Sequence, residues 1–250
     1  MSNLSDIGFP VRSEQDVNDM IMQVVNHVSE VRCPNGFYLK FSDVSGAEIY
    51  LQGNFDQELI GFNPHFSGTS RRKVLLTTAI DRDSSELDGG FHAWANPQDE
   101  TADSGDYPFV FNVPDFRAVH IHEFPKTIEL QLTAFASNDF QIFASEGEFY
   151  ANQTDELKFA SKSFIPSGLF SGNENQETDL SLIHPIGIFA GEIKSFELKT
   201  NSLTNNDFYH FLVETLGGEV DVVADLGLIQ KTPAIGGILK GQFWLSGKIL

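Results

Sequence analysis

The residues best placed to do chemistry form the run V-H-I-H-E-F, Val119 to Phe124. His120 and His122 stand two apart, and on a β-strand that spacing turns both imidazoles to one face. The following run, T-I-E-L-Q-L-T-A-F, is separated from it only by Pro125 and Lys126. A hairpin between the two would set His122 opposite Glu129 and His120 opposite Gln131. Val119, Ile121, Ile128, Leu130 and Leu132 would then share the opposite, apolar face. Directly opposed Cβ atoms lie roughly 4.5–5.5 Å apart. Two imidazoles and one carboxylate at that separation suit a divalent metal, zinc or non-haem iron, with coordination positions left open. The same residues also fit the solvated polar face of a half-buried sheet.

His-x-His on a strand with a Glu nearby resembles part of the cupin motif. In that family the Glu follows after three or four residues and a Gly comes later. Here Glu123 is adjacent, Glu129 follows after six, and Ala136 occupies the Gly position. The resemblance implies a metal held by His120 and His122, with Glu129 as third ligand.

Other candidates are less complete. In D-R-D-S-S-E-L-D-G-G, Asp81, Asp83, Ser85 and Asp88 offer closely spaced oxygen ligands. A calcium loop of the EF-hand kind needs Gly sixth and Glu twelfth, where Glu86 and His92 stand. In G-G-F-H-A-W-A-N-P, His92 and Trp94 share a strand face and could line a pocket. Arg71, Arg72 and Lys73 form the only dense basic cluster of the acidic half, and pairing with neighbouring acids is the simpler reading. No G-x-S-x-G, G-x-x-x-x-G-K-[ST] or G-x-G-x-x-G occurs. The single cysteine, Cys33, excludes an internal disulfide and thiolate-rich zinc sites.

Charge bounds the partners. The formal net charge is −19, of which residues 1–184 carry −17. Such a surface repels phosphate backbones and anionic lipid, and suits a basic protein partner, cations or plain solubility. Nucleic acid is disfavoured. No apolar run approaches the roughly 20 residues of a membrane span. The N-terminus lacks a basic stretch followed by an apolar core, so a cytoplasmic protein without a signal peptide is expected.

The elements that must position these residues are mainly β. Twenty-three phenylalanines, with Val, Ile, Tyr and Thr, recur in short runs punctuated by Gly, Asn, Asp and Pro. One amphipathic helix is expected over Ser13–Arg32, with Ser13 as N-cap and an apolar stripe from Val17 to Val31. Strands are expected at 37–42, 48–52, 58–62, 73–80, 91–95, 108–113, 118–124, 127–135, 140–145, 148–151 and 157–164. The division read from composition and charge is a helix plus acidic β-rich domain over 1–164, a linker over 165–185, and a C-terminal β-module over 186–250.

That module has a long Gly-interrupted strand, 186–200, then F-Y-H-F-L-V-E-T, a tight L-G-G, E-V-D-V-V-A-D, and the ending I-G-G-I-L-K-G-Q-F-W-L-S-G-K-I-L. This pattern resembles an OB-fold, a five-stranded Greek-key barrel that often binds oligonucleotides or saccharides. The resemblance implies ligand contacts from Tyr209, Phe211 and Trp244, beside those of His92 and Trp94. The sequence thus reads first as a non-catalytic binding or interaction protein with an acidic surface. A metal-dependent enzyme using His120, His122 and Glu129, and OB-type binding of an oligonucleotide or saccharide, are the alternatives.

Overall fold

The structure, a computed structural model, describes residues 3–82, 85–101, 104–153, 158–167 and 182–250. The chain is mainly β, with one N-terminal helix docked on a β-rich body. That helix, α1, spans Glu14–Val24. The Ser13 hydroxyl accepts from the Asp16 N–H, and the Asp16 carboxylate accepts from the Ser13 N–H. Two of the helix's orphan donors are thereby satisfied. The helix is shorter than its apolar stripe suggests. After a 3-10 turn at Val25–His27 the chain becomes a strand, β1 (Val28–Cys33). Val24, Val25, Val28 and Val31 are β-branched and stiff at χ1. Pro34 and Asn35 turn the chain so that β1 pairs with β2 (Gly36–Ser42), Cys33 opposite Gly36.

β3 (Ala47–Gly53) and β4 (Leu59–Phe66) complete a four-stranded antiparallel sheet in the order β1-β2-β3-β4. Alternation gives this sheet two unlike faces. Phe41, Ile49, Leu51 and Phe66 pack with Leu4, Ile7 and Phe9 and with Met20 and Val24 of α1. The other face carries Lys40, Ser42, Glu48, Tyr50, Asn63 and His65.

The remaining strands are β5 (Arg72–Asp81), β6 (Gly89–Ala95), β7 (Pro108–Asn112), β8 (Lys126–Ala136), β9 (Gln141–Phe143), β10 (Ser163–Pro166), β11 (Ile186–Thr200), β12 (Asp207–Thr215), β13 (Gly218–Asp225) and β14 (Ile238–Ile249). They close two five-membered rings that share β8 and β14. The first runs β5-β6-β7-β14-β8 and back to β5, with β7 parallel to β14. The second runs β11-β12-β13-β8-β14 and back to β11, with β13 parallel to β8. Each half of the chain thus supplies a three-stranded meander and a returning fourth strand. That fourth strand is also the fifth strand of the other ring. Both meanders carry a register shift in their first strand, between Leu76 and Thr78 in β5 and between Ile193 and Ser195 in β11. One continuous apolar core, including Phe91, Phe111, Leu130, Phe189, Phe211 and Phe243, fills both rings. Residues 186–250 therefore supply four strands of the second ring, and residues 126–136 supply the fifth.

Two strand expectations are overturned, and a third, 157–164, is strand only at its end, where β10 begins at Ser163. Residues 148–151 lie in a short helix, α2 (Glu146–Ala151), because Ser145 caps it through the Glu148 N–H. Residues 119–125 form no strand; they follow a 3-10 turn at Phe116–Ala118 and lead irregularly into β8. The β8 backbone they were expected to pair with is already engaged. Lys73 of β5 stands opposite Glu129, and the Glu129 carbonyl accepts from the Leu250 N–H.

Candidate functional site

Without the hairpin, the register that would set His122 opposite Glu129 does not form. His120 and His122 are exposed, with ring centroids 6.4 Å apart, on the irregular segment. Glu129 projects from the outer face of β8. Among the described residues, no group of three or more His, Cys, Asp or Glu is gathered so as to hold a metal ion. The acidic loop is also dispersed. Asp81 pairs with Arg117 at 3.1 Å, and Asp88 accepts from Asn63 at 2.7 Å. Asp83 lies outside the described residues.

The five residues read as ligand contacts fall in three places. Tyr209 and Phe211 stack at 5.6 Å, with Phe211 fully buried in the ring core. Trp244 turns the other way and packs on Phe135 at 5.3 Å. His92 and Trp94 lie together on β6, pointing away from the core that takes Phe91, Ala93 and Ala95. Both are half-buried. His92 is held by Thr77, whose hydroxyl bonds its Nδ1, and burial lowers its pKa. Trp94 stands between Leu75 of β5 and Pro108 of β7. The loop that follows β6 presses on it: a Cβ added at Gly105 would lie 3.0 Å from the Trp94 Cβ. That loop carries exposed Asp99, Glu100 and Asp106. Trp94 and His92 thus form a half-buried face on the strand from which this acidic loop departs.

A second constellation joins residues far apart in sequence. On the polar face of the small sheet, Glu48 is buried and gathers three partners. Its Oε1 lies 2.7 Å from Lys40 Nζ and accepts from Ser42 at 3.1 Å, and its Oε2 accepts from the Tyr50 hydroxyl at 2.9 Å. Lys248 of β14 stands 4.0 Å from Oε2, beyond hydrogen-bond distance. Burial works to raise the Glu48 pKa. His65, which charges only in acid, and the ammoniums of Lys40 and Lys248 more than offset it, so the net shift is downward.

Next to Glu48 in register is His65, buried and bonded to β14 and β8. Its Nδ1 meets Ser246 Oγ at 2.8 Å and its Nε2 meets Gln131 Oε1 at 2.9 Å. The Gln131 amide nitrogen already donates to Asp221 and Thr133. Its oxygen must therefore accept, so His65 carries its proton on Nε2 and the Ser246 hydroxyl donates to Nδ1. The imidazole is neutral, and burial holds its pKa down at about 4. The chain of bonds ends at Asp221, buried on β13. It accepts from His210 Nε2 at 2.8 Å, from the Ser70 N–H at 2.9 Å and from the Thr69 N–H at 3.1 Å. Burial raises its pKa, but His210, Ser70 and Gln131 outweigh burial and lower it.

Sequence reasoning missed this constellation. Lys40, Glu48, His65, Gln131, Asp221 and Lys248 share no local motif, and only strand alternation in E-I-Y-L-Q marks Glu48 and Tyr50 as sharing a face. Comparison with known proteins gives no match to a family model, a curated protein or a solved structure. No helix among the described residues is long and apolar enough to cross a membrane.

Proposed function

We propose that the protein is a non-catalytic binding protein, and that the outer face of β6 takes a basic segment of a protein partner. The observation that carries this reading is Trp94, half-buried beside His92 on the strand that leads into the loop bearing exposed Asp99, Glu100 and Asp106. An indole face attracts a lysine or arginine side chain by cation–π interaction, and the carboxylates add long-range attraction. The net charge of −19 favours the same partner and disfavours a phosphate backbone.

The strand order supports placing the site there. Each ring has the five-stranded, OB-like order in which the third and fifth strands run parallel, and OB barrels bind ligands on the face of their second and third strands. In the second ring that face, β12-β13, lies under the small sheet, where Phe208 and Val223 are sealed against Phe66. In the first ring the equivalent face, β6-β7, carries Trp94 and His92. The same geometry favours a neutral saccharide as the second reading, since sugars stack on indoles without needing charge. Titrating a lysine/arginine-rich peptide against Trp94 emission, with a neutral oligosaccharide in parallel, separates the two.

A further inference from the structure

Past Glu192, β11 loses its neighbour on one side. β14 pairs with β11 from Ile186 to Glu192, and the Ile193 backbone bonds to Gly236 and Gly237. From Ser195 to Thr200, β11 pairs with β12 on one side and with no other strand among the described residues. Lys194 to Leu198 are all exposed there. One face of this edge is apolar: Phe196 is 37% exposed and Leu198 50%, opposite Phe211 and Tyr209 of β12. On the other face Glu197 Oε2 lies 2.9 Å from Lys199 Nζ. A free edge that carries large apolar side chains is a template for another strand. From this edge we infer that the protein pairs with a second copy of itself, β11 to β11 and antiparallel, with Leu198 opposite Leu198 of the second copy. This inference is independent of the binding reading for Trp94.

The register follows from the backbone. Leu216 and Gly217 make a two-residue turn, so Thr215 and Gly218 exchange both their backbone bonds. Counting in twos along β12, Leu212, His210 and Phe208 bond to Ser195, Glu197 and Lys199 of β11. The N–H and C=O groups of Phe196, Leu198 and Thr200 therefore point outward. A symmetric antiparallel pair centred on Glu197 or on Lys199 would set like charges directly opposite, which is destabilising. One centred on Phe196 would run into the register shift at Ile193–Ser195, beside the backbone bonds to Gly236 and Gly237. Centring on Leu198 sets Glu197 opposite Lys199 of the second copy, twice, and Phe196 opposite Thr200. The pair within each chain is kept, because a carboxylate has two oxygens and an ammonium three protons. Four charges of alternating sign then close a ring on one face. On the other face Leu198 meets Leu198, and Phe196 reaches the second copy's Leu198 diagonally.

Sedimentation equilibrium of the full-length chain, at concentrations up to about 100 μM, tests the pairing. The expected mass is twice that of one chain. Glu197→Lys and Lys199→Glu each set like charges across the junction, and each should weaken the dimer at least tenfold. The double variant Glu197→Lys with Lys199→Glu restores opposite charges and should restore the dimer. Cysteine cross-linking reads the register separately, in a Cys33→Ser background. Glu197→Cys mixed with Lys199→Cys should oxidise to a disulfide-linked dimer that neither gives alone, since only that pair stands directly opposed. A chain that stays monomeric throughout would overturn the inference. A dimer that both single charge reversals leave intact, or that the double variant fails to restore, would place the contact elsewhere and overturn it as well. Cross-linking of Glu197→Cys to itself in preference to Lys199→Cys would overturn the register.

Discussion

His65 on β4 donates its Nε2 proton to Gln131 Oε1 on β8, across 2.9 Å, and this bond ties the small sheet to the strand that both rings share. Its direction is fixed because the Gln131 amide nitrogen is spent on Asp221 and Thr133. A neutral, fully buried imidazole is therefore built into the fold, and its neighbours satisfy both ring nitrogens.

Acid should weaken the protein through that imidazole. The folded pKa of His65 is about 4, below its unfolded value of roughly 6.5. Between those values the unfolded chain binds the extra proton and the folded one does not. Stability is therefore full above pH 6.5 and falls as pH drops towards 4, by about 3 kcal/mol in total. Glu48 and Asp221, whose pKa values are lowered, add a further loss in stronger acid. Urea midpoints at pH 7, 5.5 and 4.5 measure this slope. His65→Gln should be less stable at pH 7 and show a flatter profile from pH 6.5 to 4. An unchanged slope in the variant would assign the pH effect elsewhere.

Tyr38 ties the same sheet face to the first ring. Its hydroxyl donates to the Leu87 carbonyl at 2.7 Å and accepts from the Arg117 N–H at 3.0 Å. Tyr38→Phe leaves two backbone groups without that partner, and should cost about 1–3 kcal/mol in denaturant unfolding.

Strand sharing makes β14 critical to both rings. Gly247 lies where a Cβ would meet Phe111 Cδ2 at 2.4 Å, against the core wall between β7 and β8. Gly247→Ala should lose about 1–3 kcal/mol by overpacking. Both rings should melt together, so far-UV circular dichroism and Trp244 emission should give one coincident transition. Two separated transitions would show that the rings fold independently.

Much of the fold was legible in local pattern. The long strand over 186–200, the hairpin through Leu216-Gly217-Gly218 and the alternation of β13 are where the sequence places them. Gly217 and Gly218 adopt φ of 78° and 122°, which that tight turn requires. The boundary of α1 was not legible, because the valines that continue its stripe pack equally well in β1. The hairpin of His120 and His122 failed for a related reason. Its two runs sort into clean faces locally, but β5 and the chain's last residue compete for the Glu129 backbone, and no local pattern reports competitors 50 or more residues away. The Glu48–His65–Gln131 constellation was invisible on the same ground. Its members meet only where the small sheet, through β3 and β4, packs on β8 and β14. His92 and Trp94 were read together as neighbours on one strand, since a strand period of two needs nothing distant.

The Trp94 face is the part of this account most directly open to measurement. In a Trp244→Phe background, Trp94 is the only indole. A lysine/arginine-rich peptide should shift its emission saturably, bind more weakly as salt rises, and lose at least tenfold in affinity, about 1.4 kcal/mol, on Trp94→Ala by calorimetry. An acidic peptide of equal length should not bind. Binding of the basic peptide that Trp94→Ala leaves unchanged, or no binding at low salt, would contradict the assignment.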